Sequence, residues 1–546
     1  MSQTNKPFMT QSTAAAVTEE VRAPGSDSFE KTLLGHPTGL FLLFMVEMWE
    51  RFSYYGMRSL LVLYLIAKTP AMDAAEFNPG RGWSKAEAST LYGWYTGLAY
   101  LFPIFGGMIA DKLIGTHRSM LVGGILISIG HIVLAISGMG DMAHNQTGMA
   151  VFIAGLAMIV LGTGHFKPSV SVMVGQLYKQ GDPRRDGAFT IFYMGINLGA
   201  FLCAFVCGTL GEKVGWHWGF GSAAVGMIAG LLMYMFFRPR YLANIGLPPD
   251  NKGSSAPLFI AVNLLISCAF GYLYFVGGLS KFNELLTTTV MSVISVVVIS
   301  LATWFVVIQK PGDRAPTASI FLFMLFNVFF WIAFEQAGSS INVFTEQNTD
   351  RSLFGSEVPA TWFQSVNAGL IFLLAPLFAA IWTRLGKRGL DPSQPAKIAL
   401  GLIFLGVGYF FMVWAGVSAK DGAKASMLLI FLTYFWHTVG ELCLSPTGLS
   451  YVTKAAPKRF VSLLMGVWFI SSFIANLGGG LIAAKVEQIE RGELKLPWNF
   501  GGQADYFFLF VASSLGVGVL VLVATPVLKK LMRPETAAQP SGSSGH

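Results

Sequence analysis

Glu47-Met-Trp-Glu50-Arg51-Phe-Ser-Tyr54-Tyr55-Gly-Met-Arg58 carries four charges inside an apolar run, Pro37 to Ile66, that is long enough to cross a bilayer. A spanning helix needs about 20 residues at 1.5 Å of rise each to cover roughly 30 Å of hydrocarbon. Projected at ~100° per residue, Glu47, Glu50, Arg51, Tyr54, Tyr55 and Arg58 share an arc of roughly 140°, with Trp49 and Phe52 outside it. Each charge at bilayer depth costs about 2.5 to 3.5 kcal/mol on the lenient insertion scale. One face carrying four of them must look into a hydrated cavity or onto fixed partners. The stretch predicts a helix that lines something.

The rest of the chain has the same character. Of its 546 residues 53% are hydrophobic and only 12% charged, about half the charge of a soluble domain. Apolar runs recur at 37–66, 88–110, 119–138, 149–175, 187–210, 217–237, 256–278, 285–308, 317–341, 361–384, 396–417, 426–452, 460–483 and 504–531. Fourteen spans predict an all-α polytopic membrane protein embedded in a lipid bilayer. The even-numbered connections and both tails hold roughly twice as many Lys and Arg as the odd-numbered ones, which places both termini in the cytoplasm. The +8 net charge is therefore a topology signal, and a nucleic-acid partner is not expected from basic residues scattered over short loops.

The runs parse as six, two and six. A polar tail (1–36) precedes a first six-helix bundle (37–240). A linker with two additional helices follows (241–315), then a second six-helix bundle (316–531) and a linker-like tail (532–546) ending Ser541-Gly-Ser-Ser-Gly-His546. Between the two extra spans the only ionisable residues lie in a short turn, Lys281 to Glu284. Spans 1 and 4 of the first bundle hold charges, and so do the matching spans of the second, at Glu335 and Glu441. That placement fits a transporter built from repeats with its site at the midplane between them.

Collected across the spans, the charges are Arg51, Arg58 and Lys167 against Glu47, Glu50, Glu335 and Glu441. Fully ionised they sum to −1, and one bound proton brings them to zero; a zwitterion adds nothing to that count. Low dielectric penalises an unbalanced set, which favours one proton in a loaded state. Cys203, Cys207, Cys268 and Cys443 fall within spans and read as buried apolar residues, since nothing supplies further metal ligands. No metal set, phosphate-cradling loop or Ser-His-Asp arrangement is visible, so no cofactor is expected and uphill transport would draw on an ion gradient. His437, four residues before Glu441, reads as structural, and His165 as a neighbour of Lys167 at most.

Several segments together resemble one family. Gly106-Gly107-Met-Ile-Ala-Asp111 through Arg118, between spans 2 and 3, resembles the loop motif of the major facilitator superfamily. Glu47-x-x-Glu50-Arg51-Phe-Ser-Tyr-Tyr-Gly56, Gly164-His-Phe-Lys167-Pro168, Phe192 to Gly199, Glu335 to Ser340 and Glu441 to Ser450 resemble motifs of the proton-coupled oligopeptide transporter (POT/PTR) family. The resemblance covers roughly 37 to 531 and implies a bacterial-type major facilitator fold of fourteen helices. It implies a functional monomer in the inner membrane that imports di- and tripeptides with protons, and no enzyme activity. Glu47, Glu50 and Arg51 then resemble the proton-coupling triplet. Arg58 and Lys167 resemble ligands for the peptide carboxylate and Arg51 a further peptide-binding residue, while Glu441, assisted by Asn197 and Asn367, resembles the acceptor of its amino terminus. Tyr54, Tyr55, Tyr95 and Tyr193 would offer hydroxyls, Ser445 would join the site, and Trp331 and Trp468 would wall side-chain pockets. Lys167 with Glu441, and Arg58 with Glu335, resemble the two gating pairs.

Blander readings stand beside these. The span 1 charges could form a packing network, the tyrosines and tryptophans could be interface aromatics, and Pro168 and Pro446 kink helices more readily than they touch substrate. Rival functions are a carrier of another small substrate such as nitrate, a membrane-embedded enzyme using Glu47 and Glu50 as acid and base, and a passive channel. Glu441 speaks against an inorganic anion, and the lack of a repeated selectivity ring against a channel.

Overall fold

A computed structural model describes residues 32–69, 78–179, 181–249, 255–285, 288–457 and 460–532, with the backbone alone at 288–291, 294, 445–450, 453–454 and 462. The described chain is all-α and builds fourteen long helices. The first six are α1 (Thr38–Ile66), α2 (Lys85–Ile109), α3 (Gly115–Ser137), α4 (Gln146–Gln176), α5 (Arg184–Lys213) and α6 (Trp216–Tyr241). Two more follow, α7 (Ala256–Phe275) and α8 (Thr288–Val307). The last six are α9 (Pro311–Asn348), α10 (Trp362–Lys387), α11 (Gln394–Ser418), α12 (Met427–Ala455), α13 (Val461–Ala483) and α14 (Gln503–Leu531).

Eleven helical stretches among the described residues are long and apolar enough to cross a membrane, one of them containing both α2 and α3. Helix α1 equals them in length and differs in its four charges. The outer surface is what a bilayer requires: Phe236 is 77% exposed and Val523 73%, inside helices that would otherwise hide such residues. The turn expected at Lys281 to Glu284 is instead part of a short helix, Gly278–Leu285. Its Phe282 meets Trp94 of α2 and its Leu279 packs against the core of the first block, so local packing extends what a loop reading stopped. Helix α2 begins three residues earlier than its apolar run, at a capping box in which the Ser84 side chain accepts from the Glu87 amide and Glu87 accepts from that of Ser84.

In the first block α1 lies against α5 and α6, while α3 and α4 pack side by side. In the second block α11 is held between α12 and α14. Of the additional pair, α7 sits on α3 and α4, and α8 on α9. Asn263 of α7 reaches the His165 ring of α4 at 3.3 Å, and Phe305 of α8 meets Phe321 and Phe460 edge-on. The pair therefore touches both blocks.

The blocks themselves meet along α2 with α13 and α5 with α10. Gly93 and Gly480 make the first contact possible, because a Cβ on Gly480 would stand 2.5 Å from the Gly93 Cα. Close backbone approach through small residues is how apolar helices associate where burial from water gives no driving force. Two of the helices are irregular. Helix α5 contains a π turn at Ala204–Gly208, and α9 breaks into a 3₁₀ turn at Glu335–Gly338. Breaks of this kind at membrane depth expose backbone where a cavity or another helix can use it.

Candidate functional site

A cavity of about 680 Å³ opens between the two blocks. The first block supplies Tyr55 and Arg58 from α1, Tyr100 from α2, and Tyr193 and Asn197 from α5. The second supplies Trp331 and Glu335 from α9, Asn367 from α10, His437 and Glu441 from α12, and Trp468 from α13. The wall is mostly apolar with a few ionised groups, the composition of a site that recognises a small polar ligand by its ends.

Behind the α1 wall lies a second charged group. Arg51 Nε stands 2.9 Å from Glu47 Oε1 and 2.6 Å from Glu50 Oε2, and all three side chains are buried. The Arg51 guanidinium also lies 5.3 Å from the centre of the Tyr54 ring, which stacks on Tyr95 at 6.2 Å. The helix explains the pairings, since residues three or four apart share a face. Several polar atoms are left without hydrogen bonds: Glu47 Oε2, both Glu50 oxygens, Arg51 Nη2 and the Tyr54 and Tyr95 hydroxyls. Buried polar atoms left unpaired mark a strain reservoir or a place for water and protons.

Arg58, two turns further along α1, faces the cavity. It donates from Nε to the Tyr92 hydroxyl at 2.6 Å and from Nη2 to Glu335 across the block boundary. Glu335 is presented by the 3₁₀ break in α9. That break is pinned by Gln336, which donates to the Gly479 carbonyl and accepts from Ser340 and Tyr506. On the other wall, Glu441 accepts from Asn367 Nδ2 at 2.9 Å, and the same nitrogen reaches Thr438 at 3.0 Å. Lys167 Nζ stands 4.2 Å from the centre of the Tyr100 ring. No ion pair joins Lys167 to Glu441 among the described residues, whereas Arg58 and Glu335 are joined.

The seven membrane-depth charges therefore divide. Arg58, Glu335 and Glu441 line the cavity, as do Tyr55, Tyr193, Asn197, Trp331, Asn367 and Trp468. Glu47, Glu50, Arg51, Tyr54, Tyr95 and Lys167 do not, and this corrects the single shared face read from α1. An arc of roughly 140° is wider than the window one helix presents to a cleft, so one part faces the cavity and the remainder turns into its neighbours. The side chain of Ser445 lies outside the described residues.

Sequence reading missed a set of amides. Asn327, Gln364 and Asn476 line the cavity, each with a buried side-chain atom lacking a partner. Asn327 Oδ1 accepts from the Trp331 indole at 2.9 Å and so fixes the ring against the wall. Amides inside apolar spans are a usable signal, though a weaker one than charge. His437, read as structural, also lines the cavity; its ring sits between Phe334 and Tyr409, and its Nε2 has no partner.

The chain has many relatives. Residues 117–498 match the profile of the POT family. The chain is 37% identical to the peptide transporter YePEPT of Yersinia enterocolitica subsp. palearctica, covering 92% of this chain and 96% of that one. It is 36% identical to a di-/tripeptide transporter of Lactococcus lactis subsp. cremoris, over 92% and 98% of the two chains. Among solved structures it resembles a peptide transporter POT in complex with sulfate, at a TM-score of 0.76 and 34% identity over 92% of this chain and 98% of that one. A variant of that transporter in complex with alafosfalin superposes at 0.75, again with 34% identity.

Proposed function

The chain belongs to the POT family, and from that premise we propose that it is a symporter coupling inward proton flow to import of di- and tripeptides by alternating access. The observation that carries the reading is the polarity of the cavity: Arg58 on one block faces a wall of the other that holds Glu441. A peptide backbone ends in a carboxylate and an ammonium. Arg58 suits the first, because its planar fork matches a carboxylate, and Lys167 would join it once freed from the Tyr100 ring. Glu441 suits the second, steadied by Asn367 and close in the cavity wall to Asn197. Tyr55 and Tyr193 offer hydroxyls to the backbone between, while Trp331 and Trp468 bound the side-chain space.

The proton belongs to Glu47, Glu50 and Arg51. Protonating either carboxylate releases Arg51 from one of its two ion pairs, which changes what the neighbouring tyrosines and Lys167 have for partners. Alternating access follows if the Arg58–Glu335 pair and a Lys167–Glu441 pair form in turn, a ligand with both charges competing for the same groups. By the basic-residue bias both termini are cytoplasmic in a bacterial inner membrane, so the face sealed by Arg58 and Glu335 is the outer one. A functional monomer suffices, and the cycle needs no resident cofactor and no bond-making step. A proton moving through ~100 mV releases about 2.3 kcal/mol, enough for roughly fiftyfold accumulation of a neutral solute.

Reconstitution tests this directly. Vesicles carrying the protein should take up labelled dipeptide when an inward proton gradient is imposed, and unlabelled tripeptide should compete. Failure of the gradient to drive uptake, or competition by nitrate in place of tripeptide, would remove the reading.

A further inference from the structure

The outer face is closed by more than the Arg58–Glu335 pair, and a further contact is made by a residue with no place in the cavity. Glu212 lies in the last turn of α5, and its side chain is only 10% exposed. Its Oε2 accepts from the backbone amide of Ala360 at 2.9 Å. Its Oε1 accepts from the amide and the hydroxyl of Thr361, at 2.9 and 2.7 Å. All three donors belong to the second block, at the start of α10. Arg351, also of the second block, adds its guanidinium at 3.6 Å while holding Glu357 at 2.7 Å.

The first turn of a helix has amides without intrahelical partners, which a side chain just before it ordinarily satisfies. In α10 the first-turn amides of Trp362, Phe363 and Gln364 bond back to the carbonyls of Pro359, Ala360 and Thr361. The Thr361 hydroxyl, at the cap position, makes no bond to its own helix and points to Glu212 instead. The two amides just before that turn, of Ala360 and Thr361, are held from the other block by a carboxylate set at the positive end of the helix dipole. The approach is built for closeness, since a Cβ on Gly208 would stand 2.2 Å from Thr361 Oγ1. Two further bonds continue the seam, from the Trp362 indole to Thr209 at 2.9 Å and from the Ser365 hydroxyl to the Phe201 carbonyl at 2.9 Å.

We propose that Glu212 is the latch of the closed outer face, a positioning residue of the transport cycle that holds the start of α10 across the block boundary and must release it whenever the outer face opens. The idea rests on the alternating-access reading above. It separates two closures by their chemistry. Arg58 and Glu335 line the cavity and compete with ligand, whereas Glu212 does not line it and so holds the closed state whether or not ligand is present. Ligand must then overcome a fixed bias, which sets the resting conformation.

The test is a distance measured across the outer face of the full chain in nanodiscs. Nitroxides are placed by a ketone-bearing amino acid at Asp141 in the first block and Phe354 in the second, both exposed, so that the native cysteines are left alone. The latch predicts one short distance for the parent. In Glu212→Ala and Glu212→Gln the longer, outer-open population should rise by roughly fivefold or more, the scale of an ordinary conformational coupling. Glu490→Gln breaks a half-exposed inter-block pair with Lys85, at 3.8 Å on the same face, and should leave the distribution as it is. If Glu212→Ala does not fold, Glu212→Gln, which keeps size and shape, decides alone. A Glu212→Gln distribution superimposable on the parent overturns the latch, and so does a Glu490→Gln shift of equal size. If the distances respond as predicted while the parent takes up no dipeptide, the latch stands and the substrate reading falls.

Discussion

Two buried carboxylate groups in this molecule invite comparison, because they are equally hidden and differently placed. Glu47 and Glu50 face an arginine of their own helix and lie behind the cavity wall. Glu441 lines the cavity, and a neutral amide is its hydrogen-bond donor. Burial penalises an isolated charge in both places. In the first, one arginine serves two carboxylates and leaves one negative charge over, which a proton can neutralise. In the second the compensation has to come from whatever occupies the cavity, and a cation does that best. On the function proposed above, location relative to the cavity, more than residue type, divides the proton's site from the peptide's.

The sharpest way to break that division is Glu50→Gln. The amide keeps the shape and cannot be ionised, so gradient-driven accumulation should collapse from roughly fiftyfold to about onefold. Exchange of labelled for unlabelled dipeptide across the same vesicles should continue within about a factor of two, because the cavity is untouched. The pH dependence should flatten with it: uptake by the parent rises as the outer solution is acidified, and uptake by the variant does not. Loss of exchange together with accumulation would put Glu50 in the peptide site and erase the distinction.

Glu441→Gln makes the complementary cut. A hydrogen bond to a charged partner contributes about 1.5 to 3 kcal/mol, so dipeptide affinity should fall roughly 10- to 150-fold by calorimetry. A peptide whose amino terminus is acetylated should lose little further on the variant, having no ammonium to place. Asn367→Ala should have a smaller effect of the same kind, about fivefold, since it removes a neutral donor worth about 1 kcal/mol and leaves the carboxylate. An acetylated peptide bound as well as a free one by the parent would refute the assignment of Glu441.

Much of this was legible before any coordinates. Apolar runs of spanning length locate helices well because a bilayer leaves few alternatives for the backbone. Charges within those runs point toward the cavity, because their cost demands a reason, and three of the seven line it. What resists reading is direction. The wheel gives Arg51 and Arg58 one face, yet Arg51 folds back onto Glu47 and Glu50 while Arg58 reaches Glu335. That choice depends on where the other block stands, and period alone does not encode it. Glu212 is a similar case. By sequence it falls just past an apolar run, where a carboxylate is unremarkable, and only the fold brings the start of α10 to it.

The smallest expected effects concern Tyr54 and Tyr95, and they sharpen the comparison from the protein's side. Both hydroxyls are buried without a hydrogen-bond partner, beside the Glu47–Glu50–Arg51 group and off the cavity lining. Removing a buried polar atom that makes no bond relieves a desolvation cost, so Tyr54→Phe and Tyr95→Phe should leave thermal stability unchanged or raise it by up to about 1 kcal/mol. Exchange of dipeptide should be close to the parent's in both. Accumulation is where a difference would appear. If the hydroxyls receive Arg51 or a carboxylate once Glu50 is protonated, each substitution removes a partner from the protonated state alone, and driven uptake should fall severalfold at unchanged stability. A loss of stability of 2 kcal/mol or more would mean that these hydroxyls already have partners in the resting protein, and the group behind the wall would then be a packing network.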